Sequence, residues 1–170
     1  LEEKYVINNI NNICENESIL KIGQNIKYDI RILNKYGIKF NSIADTMLIS
    51  YSIDNGIHKH NLDDLSFNHL NHTTIKYKDV VGTGKNEITF DRVAIDNAVE
   101  YAAEDSLLTF KLYQNLYPRL IKEKANFVYQ NIDLPLVDVL SKIESNGIEV
   151  NKRFLTSLSI EFENESKKLE

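Results

Sequence analysis

Tyr101 and Asp105 lie four residues apart in EYAAEDSLLTF, residues 100–110. In a helix that spacing stacks the two side chains on one face, a turn apart. Glu104 is rotated about 100° from Asp105, so the neighbouring acids cannot serve one site equally. An aspartate on a face shared with alanine and leucine is costly to bury unpaired. It must cap, pair or hold a cation, and taken alone the plain outcome is a half-exposed salt bridge. A second constellation is GQNIKYD, residues 23–29. There a strand ends in Gln24 and Asn25, and Tyr28 and Asp29 open the next helix. Taken alone, Asp29 simply suits the positive end of that helix.

The elements that position these residues follow from periodicity. Val6, Ile10 and Ile13 predict a helix over 4–14, and ILKIGQ (19–24) predicts a strand. The next helix places Ile32, Leu33 and Tyr36 on one face and stops at Gly37. IKFNSIAD is a short extended return, after which Asp45 caps a helix through Met47, Leu48 and Tyr51. Asn61 caps LDDLSFNHL, and TTIKYKDVVGTGKNEITF is loop and turn. GTGK is no phosphate loop, because Asp79 stands where the first glycine belongs and Asn86 follows Lys85. The longest helical pattern runs over 91–123. Its expected buried face is Val93, Val99, Ala102, Ala103, Leu107, Leu108, Leu112 and Leu116, with Pro118 as a stop or kink. A second long pattern covers 126–146, then IEV is extended and a charged amphipathic helix follows. The polar break KEKAN sets a domain boundary near residue 124.

Composition bounds the partners. The net charge of −5 argues against binding nucleic acid by bulk charge. It leaves open an enzyme that holds phosphates through metals on carboxylates. Cys14 is the single cysteine, so no internal disulfide forms. No run of eighteen apolar residues predicts a membrane span, and the first residues carry no secretory signal pattern. His58 and His60 are close, as are His69 and His72, but with one cysteine and no H-E-x-x-H a zinc site is not expected.

N-x-x-Y-D at 25–29 and Y-x-x-x-D at 101–105 together resemble the second and third motifs of the DnaQ-like 3′–5′ exonucleases. KIGQNIKYDIRILNKYGI, DTMLISY, GKNEITF, YAAED and NIDLPLVDVLSKIESNGIEV follow in order. Together they resemble the proofreading domain of the bacterial DNA polymerase I family (family A) running into its polymerase domain. The resemblance covers nearly the whole chain. It implies an α/β, ribonuclease H-like exonuclease domain over 1–124, lacking its N-terminal strands. The first helices of a polymerase domain would occupy 125–170, leaving the whole mostly helical. It implies removal of 3′-terminal nucleotides from single-stranded DNA, in replication and repair, by two divalent ions (Mg²⁺ or Mn²⁺, with Zn²⁺ an alternative at one site). The metal carboxylates carry over to Asp29 and Asp105, and the water-orienting tyrosine to Tyr101. Nucleic-acid contacts carry over to Gln24, Asn25, Tyr28, Lys59 and Tyr77. Lys59 stands where relatives have arginine, and lysine lacks the bidentate fork. Tyr77 has a ring suited to stacking on a base. The setting implied is the bacterial cytoplasm, at the nucleoid, with the rest of the polymerase chain as partner and no membrane.

The first family motif, D-x-E, does not occur in the chain. The expectation is therefore an internal piece of such a polymerase, with about half of the metal ligands and without the polymerising residues, and inactive alone. Two other readings compete. A ribonuclease D-type exonuclease would lack the NIDLPLVDVLSKIESNG segment. A non-catalytic scaffold would have lost Asp29, Tyr101 and Asp105. With the first strands missing, residues 4–26 should expose an apolar face, and Asp29, Tyr101 and Asp105 should face one cleft.

Overall fold

The computed structural model describes residues 2–169. Among these, helix dominates, and two short strands make the only sheet. Helix α1 (Glu3–Cys14) leads to strand β1 (Lys21–Gly23), helix α2 (Ile26–Asn34) and strand β2 (Ile43–Asp45). The strands pair in parallel, Lys21 opposite Ile43 and Gly23 opposite Asp45. Parallel neighbours need a crossover between them, and α2 supplies it. In α1 only Cys14 is buried, while Tyr5 and Ile13 are exposed along with Ile19 and Leu20 before the strand. The exposed apolar face expected over 4–26 is therefore present. Within β1 the expected alternation is inverted, because Lys21 is buried. Its ammonium donates to the carbonyls of Asn16 (2.7 Å) and Ile19 (2.6 Å), so loop backbone takes the place of water.

The crossover helix buries Ile26 and Ile30, whereas Ile32 and Tyr36 are exposed. The apolar stripe was expected one residue pair too late, since the helix core contact lies at its start. Helix α3 (Thr46–Asp54) and helix α4 (Leu62–Leu70) follow, capped by Asp45 and Asn61 as their sequences predict. The glycine-rich connection holds one short helix, α5 (Tyr77–Val81), and two tight 3₁₀ turns at Gly84–Asn86 and Phe90–Arg92.

Helix α6 (Ile95–Lys122) is the spine. It buries Leu108, Leu112, Leu116 and Leu120, but Val99, Ala102, Ala103 and Leu107 face outward, against expectation. The core begins only at the second half of α6, so alanine and valine in its first half have nothing to pack on. Pro118 neither ends nor interrupts the helix assignment. The helix stops where Lys124 takes a left-handed φ of 62°. A short helical turn α7 (Asn126–Val128) and a π turn (Tyr129–Asp133) lead into α8 (Leu134–Asn146), with Pro135 in its first turn. IEV forms no strand, and α9 (Lys152–Leu169) buries none of its residues.

The main core joins Ile49, Leu65, Leu112, Leu116, Leu120 and Tyr129. A second cluster packs Ile26 and Ile30 against Val137. Tyr129 and Val137 thus lie beyond the polar break at 124 yet sit in the same packing as the residues before it. Among the described residues no helix is long and apolar enough to cross a membrane.

Candidate active site

The end of β1, the first turn of α2, the start of α4, the segment around the start of α5 and the 101–109 stretch of α6 enclose a cleft of about 640 Å³. Asp29, Tyr101 and Asp105 all line it, so the three residues come together as expected. Gln24 and Tyr77 line it as well. Asn25, Tyr28 and Lys59 are not on its walls. Asn25 sits at the start of α2 with φ 58°, a left-handed conformation that asparagine tolerates better than most residues. Tyr28 is exposed beside Arg31, Ile32 and Lys35, and Lys59 is exposed in the loop after α3.

Two local features put Asp29 on the cleft. Gly23 allows α2 to approach β1 closely, since a Cβ there would lie 2.8 Å from Ile26 Cβ and Cγ1. Asp45 then fixes the start of α2. Its carboxylate accepts from the backbone N–H groups of Asn25 (3.1 Å) and Ile26 (2.9 Å), and also from Met47 (2.9 Å) and Leu48 (3.4 Å). One buried aspartate thereby caps α2 and α3 together. The sequence predicted only the cap of α3, because the other contact crosses 20 residues of chain.

The neighbouring acids on α6 divide as their rotation requires. Glu104 faces the connection before α5, accepting from the Ile75 N–H (2.7 Å) and meeting His72 Nε2 (2.7 Å). It latches the cleft wall that carries Ile75 and Tyr77. Asp105 instead faces the cleft, where burial pushes its carboxyl up. A hydrogen bond from Tyr101 pulls it down, and the charges of Glu104 and Asp63 push it up again. Burial also raises the Tyr101 phenol to about 12, helped by the Asp105 charge and the hydrogen bond between them. The phenol therefore keeps its proton at neutral pH. Asp29 is raised by burial, lowered by a backbone hydrogen bond, and raised again by Asp45. Neither Asp29 nor Asp105 makes an ion pair with lysine, arginine or histidine among the described residues.

Other residues reach the cleft that the sequence did not single out. Asp63, in the first turn of α4, lines it and pairs with Lys76 Nζ at 2.7 Å. Burial works against that carboxyl's ionisation, but Lys76 and Thr74 hold it below its ordinary value. Phe90 stacks with Tyr77 (centroids 6.1 Å apart) and meets Tyr101 edge-on (5.9 Å). Tyr77 also meets Tyr101 edge-on at 6.2 Å, so three rings form one aromatic corner. The clue in sequence was weak, since Phe90 lies eleven residues before Tyr101 in a turn. Gln24 is committed at both ends of its side chain. Its Nε2 donates to the His60 carbonyl (2.8 Å) and its Oε1 accepts from the Thr46 hydroxyl. His60 itself pairs with Ser50 (2.9 Å) and is held neutral by burial and the nearby His58.

One open groove thus holds an exposed carboxylate (Asp29), a half-buried one (Asp105), a protonated phenol and an aromatic corner. Residues 1–121 match the family model described as 3′–5′ exonuclease, and the chain belongs to that family. It is similar to DNA polymerase I of Rhizobium leguminosarum, at 46% identity over 158 residues, covering 93% of this chain and 16% of that protein. It also resembles DNA polymerase I of Pseudomonas aeruginosa (39% identity over 160 residues; 91% of this chain, 17% of that one). DNA polymerase I of Borreliella burgdorferi is 35% identical over 158 residues (91% and 17%). The chain therefore spans about one sixth of the length of these relatives.

Proposed function

We propose that the chain is the carboxylate-bearing portion of a proofreading 3′–5′ exonuclease within a DNA polymerase I, acting on the single-stranded 3′ end of DNA. The observation that carries this reading is the convergence of Asp29, Tyr101 and Asp105 on one cleft from elements 72 residues apart in sequence. In this reading residues 1–124 are the exonuclease portion and 125–170 begin the polymerase portion. The end of the family match at residue 121 supports that division.

The residues fit divalent cations. Asp29 and Asp105 offer hard oxygen donors suited to Mg²⁺ or Mn²⁺. Both carboxyls are raised by burial with no lysine or arginine to offset them, and a bound cation would supply the missing charge. Bound there, divalent ions would lower the pKa of a water and stabilise the departing 3′-oxygen. The other steps belong to the chain. With its phenol turned to Asp105, Tyr101 would keep its oxygen lone pairs free to accept a hydrogen bond from the attacking water and orient it. Tyr77, backed by Phe90, presents a ring on which a terminal base stacks, a contact worth about 1–3 kcal/mol per base. Glu104 keeps that wall in place. The chain contains no D-x-E, the family motif that supplies the further carboxylates.

The test is release of nucleotides from a 3′-labelled single-stranded DNA in Mg²⁺ or Mn²⁺. The reaction is run by this chain and by the chain joined to the corresponding upstream segment of the Rhizobium relative, each with and without Asp105→Ala. Activity in the joined protein that Asp105→Ala abolishes supports the reading. A joined protein that degrades DNA equally well with Asp105→Ala, or not at all, removes it in favour of a scaffold.

A further inference from the structure

Outside the cleft, the end of α3, the loop after it and the last turn of α4 bring Asp54, His58 and His69 together. One donor atom from each lies within 4.8 Å of the others. None of the three lines the cleft. The sequence pairs His58 with His60, whose rings lie 5.1 Å apart, and folding adds His69, whose ring lies 5.6 Å from that of His58, nearly edge-on.

The donors are already oriented. His58 Nδ1 lies 2.8 Å from the Lys59 carbonyl oxygen, which can only accept, so Nδ1 carries the proton. Its Nε2 faces Asp54 Oδ2 at 3.5 Å. Such an N–H to carbonyl contact is the usual way a metal-binding imidazole has its tautomer fixed. Asp54 is held from behind by Arg119 of α6, with both guanidinium–carboxylate contacts at 3.0 Å. This lowers the Asp54 carboxyl, so it is ionised at neutral pH, and each oxygen keeps a further lone pair. His69 is kept neutral by burial and by Arg119. Its Nε2 is buried with no hydrogen-bond partner.

That orphan nitrogen separates two explanations. A proton on His58 would make an ordinary i,i+4 ion pair with Asp54, but it would leave His69 unsatisfied. A cation would draw on one donor atom of each of the three groups at once. Two imidazoles and a carboxylate form a borderline donor set, which selects Zn²⁺, Co²⁺ or Ni²⁺ over Mg²⁺ and Ca²⁺. Donors bonded at about 2.0–2.2 Å around a tetrahedral ion stand a little over 3 Å apart, so modest side-chain closure completes the set, with water in the fourth position. Arg119 weakens the field for a cation but fixes the carboxylate and would link the ion to α6.

We propose that Asp54, His58 and His69 bind one divalent transition-metal ion of the zinc class, at a site separate from the carboxylate cleft. The ion ties the α3–α4 connection to the spine helix. The proposal does not rest on the exonuclease reading.

The test titrates the chelator-treated full chain with Co²⁺ in excess Mg²⁺, following visible absorption, and then displaces Co²⁺ with Zn²⁺. Expected is one equivalent with the bands of four-coordinate nitrogen–oxygen ligation, unchanged in Asp105→Asn. His58→Ala and His69→Gln should each weaken binding at least about tenfold. Zn²⁺ should raise the thermal midpoint of the unsubstituted chain and not that of His69→Gln, whose fold is checked by circular dichroism. Absence of the bands overturns the proposal. So does binding that survives both histidine substitutions, or binding that Asp105→Asn removes.

Discussion

Asp45 and Asp105 are both withdrawn from water, and the fold treats them in opposite ways. Asp45 is 1% exposed and accepts from backbone N–H groups at the starts of two helices. Asp105, half-buried in the cleft, has the Tyr101 phenol beside it and the Glu104 and Asp63 carboxylates nearby. A saturated carboxylate holds structure together. An unsaturated one among like charges costs stability and stores the capacity to bind a cation.

Substituting each side in turn sharpens this contrast. Asp45→Ala strands buried N–H groups at two helix starts, and each lost cap costs about 1 kcal/mol with further cost for burial. It should lower the urea-unfolding free energy by about 3 kcal/mol or more. If the loss is under about 1 kcal/mol, Asp45 is not the hub described. Asp105→Asn should do the reverse of damage. In the chain joined to the upstream segment of the Rhizobium relative it should cut nucleotide release at least a hundredfold, about 2.7 kcal/mol of barrier, while leaving the fold intact.

Gly23→Ala sits between the two regions. Its Cβ would meet Ile26 at 2.8 Å, against a branched side-chain root that cannot swing away. A cost of about 1–3 kcal/mol is expected, typical of overpacking, with slower nucleotide release because α2 carries Asp29. Unchanged stability and activity would show that α2 shifts freely.

The smallest effect is in pH dependence. The Asp105 carboxyl is raised in the folded chain above its ordinary value of 3.8. Such a group destabilises the fold where it is ionised in both states, and contributes nothing once both states are protonated. Without divalent ions, Asp105→Asn should therefore be more stable than the parent at neutral pH. The gain should fade as pH drops through the raised folded value and vanish below about 3.8. A gain that persists at pH 3 would place its cause outside this carboxyl.

Much of this was legible in the sequence, and the reasons it stopped are local. The caps at Asp45 and Asn61, the helix expected over 4–14 and the convergence of Asp29 with Tyr101 and Asp105 follow from spacing and the family resemblance. The outward turn of Leu107 and Val99 was not legible, because a helix pattern shows a stripe but not where its core begins. Lys21 defeated the alternation rule by finding loop carbonyls. Phe90, Asp63 and the meeting of His58 with His69 depend on how loops fold back, and no residue period encodes that.

Tyr129 carries one further consequence. Its phenol oxygen accepts the Asp45 N–H at 3.0 Å, and its ring is 0% exposed. A protease cut at the polar break near residue 124 would not release two modules. Tyr129 would hold the two pieces together, and pulling them apart would open a hole the size of a tyrosine side chain beside the aspartate that starts both helices. The interior of this chain is thus shared across the polar break, with Tyr129 and Val137 packed among residues that precede it.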